Sequence, residues 1–362
     1  MYQNANAHLA ERFEDWWNRD NKGLPLMNVI AVRDGAKWQV PKPNRLEDKY
    51  LNAEYLLSVQ KENLQNCVYL GDSYASLSAD LGPGSLALYL GSQPIFAENT
   101  VWYEPSILSL EKAPNLRYNP ENRWWKLHMD LIRRLKEAAD GQFLINIPDL
   151  IENIDIYSAM RGPQNTLFDL MDEPEKVEET IRRIDESYFP YYDEMLSLVR
   201  DENGIASYTA FSILGKGRIA KIQCDFSAMI SPAQFRRFVL PSLKKQAKQL
   251  DHSLYHLDGP DAIRHVPALM EIEELDALQW TCGSSQPDGV CERWYPIYDQ
   301  VAAAGKSLWV QIYNGGVDDW ISGAERLMER YGTKIFYFHF PWMKEKDAEK
   351  LLTRAEKYWK NL

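Results

Sequence analysis

Tyr255-His256-Leu257-Asp258-Gly259 sets an imidazole and a carboxylate two positions apart, with a glycine directly after them. On an extended chain that spacing sends both side chains to one face, and the glycine lets the backbone turn sharply. Such a pair can bind a divalent metal through nitrogen and oxygen, or act as a general base with an orienting acid. The residues alone leave both chemistries open. His339, in Phe336-Tyr337-Phe338-His339-Phe340-Pro341, is a lone imidazole among aromatics, a setting that more often gives a hydrogen-bonded core residue than a ligand. Were it to end a strand facing the first pair, His256, Asp258 and His339 would form a two-histidine, one-carboxylate set with open coordination positions. Further polar residues follow apolar runs along the chain: Asp72, Asp149, Asp225, Trp280, Cys282, Gln311 and Tyr313. Asp72 and Asp225 could also serve as paired glycosidase carboxylates, although loop carboxylates usually cap helices or face water.

Chemistry of this kind needs a frame that brings distant residues together. Short apolar, β-rich runs occur at Leu24 to Ala31, Cys67 to Gly71, Phe143 to Ile147, Ile205 to Ala210, Ser253 to Leu257, Ala277 to Thr281, Ser307 to Ile312 and Lys334 to His339. Amphipathic stretches separate them, including Pro120 to Ala139, Glu173 to Arg200 and Ser231 to Leu250. Alternation of this type predicts an α/β fold with a parallel sheet, and eight strands suffice for one (β/α)8 TIM-type barrel spanning residues 1–362. Ile219 to Phe226 is an alternative to the second strand in that count. An N-terminal extension precedes the first strand, and residues 72–118, rich in Gly, Pro and aromatics, read as an insertion over the mouth. In parallel α/β folds ligands bind beyond the carboxyl ends of the strands, where the polar residues above would gather.

Composition narrows the partners. With 41 Lys and Arg against 52 Asp and Glu, the net charge is −11, which repels nucleic acid and acidic membrane surfaces. The four cysteines are scattered, with neither a CxxC pair nor a dense framework, consistent with thiols in a reducing cytoplasm. No uncharged run is long enough to span a bilayer. Motifs for a hydrolase nucleophile elbow, a zincin helix and a P-loop are absent, and the Gly82 to Gly84 and Gly315-Gly316 segments match no phosphate-binding spacing.

Four segments carry a family resemblance: Asp169-Leu170-Met171-Asp172-Glu173-Pro174-Glu175-Lys176-Val177, Asp225-Phe226-Ser227-Ala228-Met229-Ile230-Ser231-Pro232-Ala233-Gln234-Phe235, Tyr255-His256-Leu257-Asp258-Gly259 and Ala302-Ala303-Ala304-Gly305-Lys306. Over residues 140–360 the chain resembles the uroporphyrinogen decarboxylase superfamily, which includes corrinoid-dependent methyltransferases. The resemblance implies a barrel with its site in the mouth, frequently dimeric. In the methyltransferase branch a His-x-Cys-Gly motif and a late cysteine bind zinc. Asp258 stands here in place of the first cysteine and His339 near the second, so His256, Asp258 and His339 would hold a divalent metal, zinc or another, with harder donors. The decarboxylase branch uses an aspartate after the second strand, a mouth serine and a late histidine, to which Asp72, Ser227 and His339 are similar in position. Its arginine-rich opening segment has only Arg33-Asp34-Gly35 as counterpart, a poor match for a polyanionic tetrapyrrole. The resemblance thus implies an enzyme that moves a methyl group from a small methylated compound, with a corrinoid protein as partner. Asp72, His256, Asp258 and His339 would act in catalysis, and Asp149, Asp225, Ser227, Trp280, Gln311 and Tyr313 would position substrate. A decarboxylase and a non-catalytic binding barrel are the alternatives.

Overall fold

Alternating apolar and amphipathic segments build an α/β fold, seen in a computed structural model that describes residues 2–283 and 285–362. The strands are β1 (Leu26–Val32), β2 (Cys67–Gly71), β3 (Ser76–Leu77), β4 (Pro94–Phe96), β5 (Val101–Tyr103), β6 (Leu144–Ile147) and β7 (Ile205–Tyr208). They continue with β8 (Leu214–Lys216), β9 (Ile219–Gln223), β10 (His252–Asp258), β11 (Ala277–Thr281), β12 (Ser307–Gln311), β13 (Phe336–His339) and β14 (Met343–Lys344). The main sheet runs β14-β1-β13-β12-β11-β10-β9, with β2 added beside β1; a second sheet runs β3-β6-β7-β8. From β9 through β13 to β1 every ladder is parallel. Strands β7 and β9 touch, yet no ladder among the described strands joins the two sheets, so backbone hydrogen bonds do not close a ring.

Cys67–Gly71 is a strand, but it runs antiparallel to β1, pairing Gly71 with Asn28 and Cys67 with Val32. Ile219–Gln223 stands instead among the parallel strands. Beneath the sheet, the helix Tyr2–Trp17 plugs the strand starts. Trp16 Nε1 donates to the Ile335 carbonyl at 3.1 Å, Trp17 Nε1 donates to the Leu214 carbonyl at 3.0 Å, and Trp17 stacks on His252 at 5.2 Å.

Outer helices form where the apolar period is 3.6. Val317–Tyr331 buries Trp320, Ile321, Ala324, Leu327 and Met328, one stripe toward the sheet. Asn122 caps Arg123–Ala139 by accepting from the Trp124 and Trp125 amides, and Pro174 opens Pro174–Val199 in the first turn, where its missing N–H costs nothing. The stretch from Ser231 is broken into Pro232–Phe238 and Leu240–Ala247, because Pro241 can continue a helix only from a first-turn position. Residues 72–118, expected as one insertion, also supply a sheet strand: Ser76–Leu77 is β3, parallel to β6, and only after it come the short helix Leu86–Tyr89 and the antiparallel hairpin β4-β5. No helix among the described residues is long and apolar enough to cross a membrane.

Candidate functional site

Register fixes which side chains share the inner face of the main sheet. Across β10 to β13 and β1, Asp258 pairs with Thr281, Gln311 with His339 and His339 with Asn28. One layer below, Gln223, His256, Gln279, Trp309, Tyr337 and Leu26 form the corresponding row. His256 and Asp258 do leave one face of β10, and Gly259, at φ +78, turns the chain off the strand in the left-handed region.

His256 and Asp258 meet Asp225 at the mouth, where one ligand atom of each lies within 4.8 Å of the others. Asp225 starts the 3-10 turn Asp225–Met229 directly after β9, so adjacent parallel strands deliver all three groups. The imidazole is oriented from behind. Gln279 Nε2 donates to Thr281 Oγ1 at 2.9 Å, which turns Gln279 Oε1 toward His256 Nδ1. An amide oxygen only accepts, so Nδ1 carries the proton and Nε2 keeps its lone pair for the mouth. Burial, and then the Lys221 charge, lower the His256 pKa, so the neutral ring is favoured even though Asp225 and Asp258 oppose this. Burial raises the Asp258 pKa, with Asp225 adding to it and His256 opposing. One imidazole nitrogen and two carboxylates make a hard, oxygen-rich donor set suited to a divalent cation.

Phe211 packs on the His256 ring at 4.9 Å and on Trp309 at 5.2 Å. It belongs to a loop folded into the interior, where Phe211 and Ser212 take left-handed φ values of 62° and 49°. Two buried donors and one half-buried donor hold that strained backbone: Trp309 Nε1 to the Phe211 carbonyl at 2.9 Å, Tyr337 Oη to that of Ser212 at 3.0 Å, and the half-buried Tyr74 through its Oη to that of Ile213 at 3.0 Å.

The remaining candidates are dispersed. His339 lies outside the group of three: Asn28 Nδ2 donates to its Nε2 at 2.6 Å, it stacks on Trp309 at 5.0 Å, and burial pushes its pKa down to about 4. Between it and Asp258 stand Thr281 and Gln311, so three strand spacings, ~14 Å along the sheet, separate them. Asp72 is at the other end of the molecule, because antiparallel β2 carries it to the start of β1. There it accepts from Arg12 Nε at 3.0 Å, Arg12 Nη2 at 3.2 Å and the Met27 amide at 2.9 Å. Asp149 is buried against Lys221 Nζ at 2.6 Å and accepts from Tyr208 Oη at 2.9 Å. Trp280 points out of the sheet into an edge-on contact with Trp294 at 5.0 Å, since it alternates with Gln279 and Thr281 on β11. Ser227 is buried, and its carbonyl accepts from His265. Gln311 is half-buried on the inner face; Tyr313 is partly exposed beside it and donates its amide to Asp288.

Lys221, Gln223, Gln279 and Asp155 are polar neighbours that motif reasoning passed over. Lys221 and Gln223 alternate with isoleucines in Ile219-Ala220-Lys221-Ile222-Gln223, as Gln279 and Thr281 alternate around Trp280, and a period-two reading of those strands shows them sharing a face. Beside the group lies a cleft of about 430 Å3, bounded by the β4-β5 hairpin, Asp155, Gln223 and Asp225. The insertion thus walls the mouth from one side.

No protein-family model matches the chain, and no curated protein matches it. Among solved structures it is similar to a methyltransferase from Methanosarcina mazei, with a TM-score of 0.64, 12% sequence identity, and coverage of 97% of this chain and 99% of that one. At that identity the likeness shows a shared fold over nearly the whole chain.

Proposed function

We propose that this chain is a methyltransferase-like enzyme built on a (β/α)8-type frame, acting on a small methylated compound with a divalent cation held by Asp225, His256 and Asp258. The observation that carries this reading is the convergence of those three ligand atoms within 4.8 Å, with the His256 tautomer set by Gln279. The resemblance of the Asp225 and His256 segments to corrinoid-dependent methyltransferases supports it, as does the methyltransferase whose fold the chain shares. A cation bound there would supply Lewis acidity to a substrate oxygen, nitrogen or sulfur.

The residues' own tasks follow from their settings. Gln279 keeps His256 in one tautomer and one orientation; Phe211 and Trp309 fix the ring plane. Asp258, beside Asp225, would supply the second carboxylate that balances the cation's charge. The hairpin wall excludes water from one side of the mouth. The acceptor in this reading is a corrinoid carried by a partner protein. The decarboxylase alternative needs Asp72 in the mouth, and its bidentate pairing with Arg12 near the start of β1 opposes that.

Metal analysis with calorimetric titration of zinc, cobalt and manganese tests the proposal. One ion per chain, lost on His256→Ala and Asp225→Ala but retained on His339→Ala, is the expected outcome. Full occupancy in His256→Ala overturns the ligand set.

A further inference from the structure

The cleft beside the mouth is apolar over much of its lining, with Val101, Trp102, Tyr103, Ile156, Phe226 and Met229 contributing. Its charged lining consists of two carboxylates, Asp155 and Asp225; none of the described lining residues is Lys, Arg or His. Asp155 is held rigidly. Its Oδ2 accepts from the Asp225 amide at 2.8 Å and from Gln223 Nε2 at 3.3 Å, and its Oδ1 accepts from the Phe226 amide at 2.9 Å. Lys221, the nearby interior cation, is committed to Asp149 at 2.6 Å and to Gln223.

Low-dielectric walls focus the field of such carboxylates into the cleft. An anion entering would lose hydration against two like charges, and a neutral ligand would gain nothing from them. A cation gains from both. The aromatic side chains of the lining, with Trp102 62% exposed, suit a positive group whose charge is spread over apolar substituents.

We propose that this cleft is a subsite for a compact organic cation, an ammonium or similar onium group with small apolar substituents, with Asp155 as its counter-ion, joined by Asp225 in the metal-free protein, and Trp102 and Tyr103 as its apolar wall. The inference rests on the reading of this mouth as a site for a small methylated compound and names the charge class of that compound. Asp225 borders both the cleft and the ligand group, so a cation seated there would lie next to the reacting centre.

Calorimetric titration of chelator-stripped protein tests this with choline, the carbon isostere in which choline's quaternary nitrogen is replaced by carbon, and pivalate. Saturable choline binding, about tenfold or more tighter than the isostere and with pivalate weakest, is expected. Asp155→Asn and Asp225→Asn should each bring choline toward the isostere's affinity while the isostere changes by less than about twofold. Asp225→Asn alters an exposed side chain and so keeps the test valid if Asp155→Asn perturbs folding. Equal affinities for choline and isostere, tighter pivalate, absence of saturable choline binding, or a preference unchanged in a folded variant would each overturn the proposal. Because the metal is stripped, a protein that binds metal but shows no cation preference loses this inference alone. A cation preference without metal binding removes the metal centre instead.

Discussion

Removing one partner of the Lys221–Asp149 pair should be the most damaging single polar change in the sheet interior. The two side chains are 2% and 9% exposed and 2.6 Å apart. At an effective dielectric of about 20 their attraction is ~6 kcal/mol, and desolvating both ions offsets several kcal/mol of it. A single truncation discards the attraction but keeps the desolvation cost of the remaining ion. Asp149→Leu also strips the acceptor from Tyr208 Oη, and Lys221→Met leaves Asp149 buried with that hydroxyl as its main partner. Each variant is therefore expected to lose about 3–5 kcal/mol, whereas the double variant, freed of the unpaired ion but with the Tyr208 hydroxyl and the Gln223 amide still lacking their partners, should lose only about 1–3 kcal/mol relative to the parent, well short of the sum of the singles. Urea unfolding of the four proteins, followed by tryptophan fluorescence, measures the cycle. Losses below about 1 kcal/mol in the singles, or strict additivity in the double, would refute the account of a desolvated pair.

Gln279→Leu removes the acceptor that fixes His256 and is expected to weaken divalent-metal binding by about 10–100-fold with little change in fold; calorimetric titration reads this, and unchanged affinity would show that the amide does not orient the ring. Burial opposes protonation of His252, but Asp276 and Glu14 outweigh it and raise its pKa in the folded state. Its stabilisation is thus fully present below the unfolded value of about 6.5 and is lost as pH rises through the higher folded pKa. His252→Gln should flatten that part of the stability profile, and parallel profiles for the two proteins would exclude the linkage. Trp280→Ala empties a buried site against Trp294 and should cost about 3–5 kcal/mol while leaving choline and metal affinities unchanged, because the ring lies on the helix side of the sheet. An affinity change larger than the stability loss explains would return Trp280 to the mouth.

Local periodicity determined much of this protein. The α/β alternation, the strands around Leu26, Ile145, Ala206, Leu254, Leu278, Val310 and Phe338 and the same-face placement of His256 and Asp258 all follow from two-residue and 3.6-residue repeats. The meeting of His256 and Asp258 at the strand ends followed as well, since parallel strands end at one edge. Strand direction and neighbour order were decided by tertiary structure. The composition of Cys67–Gly71 is the same for either direction, yet antiparallel pairing with β1 took Asp72 to the base and Arg12. The two-histidine set failed for a similar reason. His256 and His339 both sit near strand ends, but ladder order puts β11 and β12 between them, while the loop after β9 sets Asp225 beside His256. Sequence spacing encodes which face a side chain takes; which residues meet across that face depends on pairings between strands far apart in the chain, and no local repeat records them.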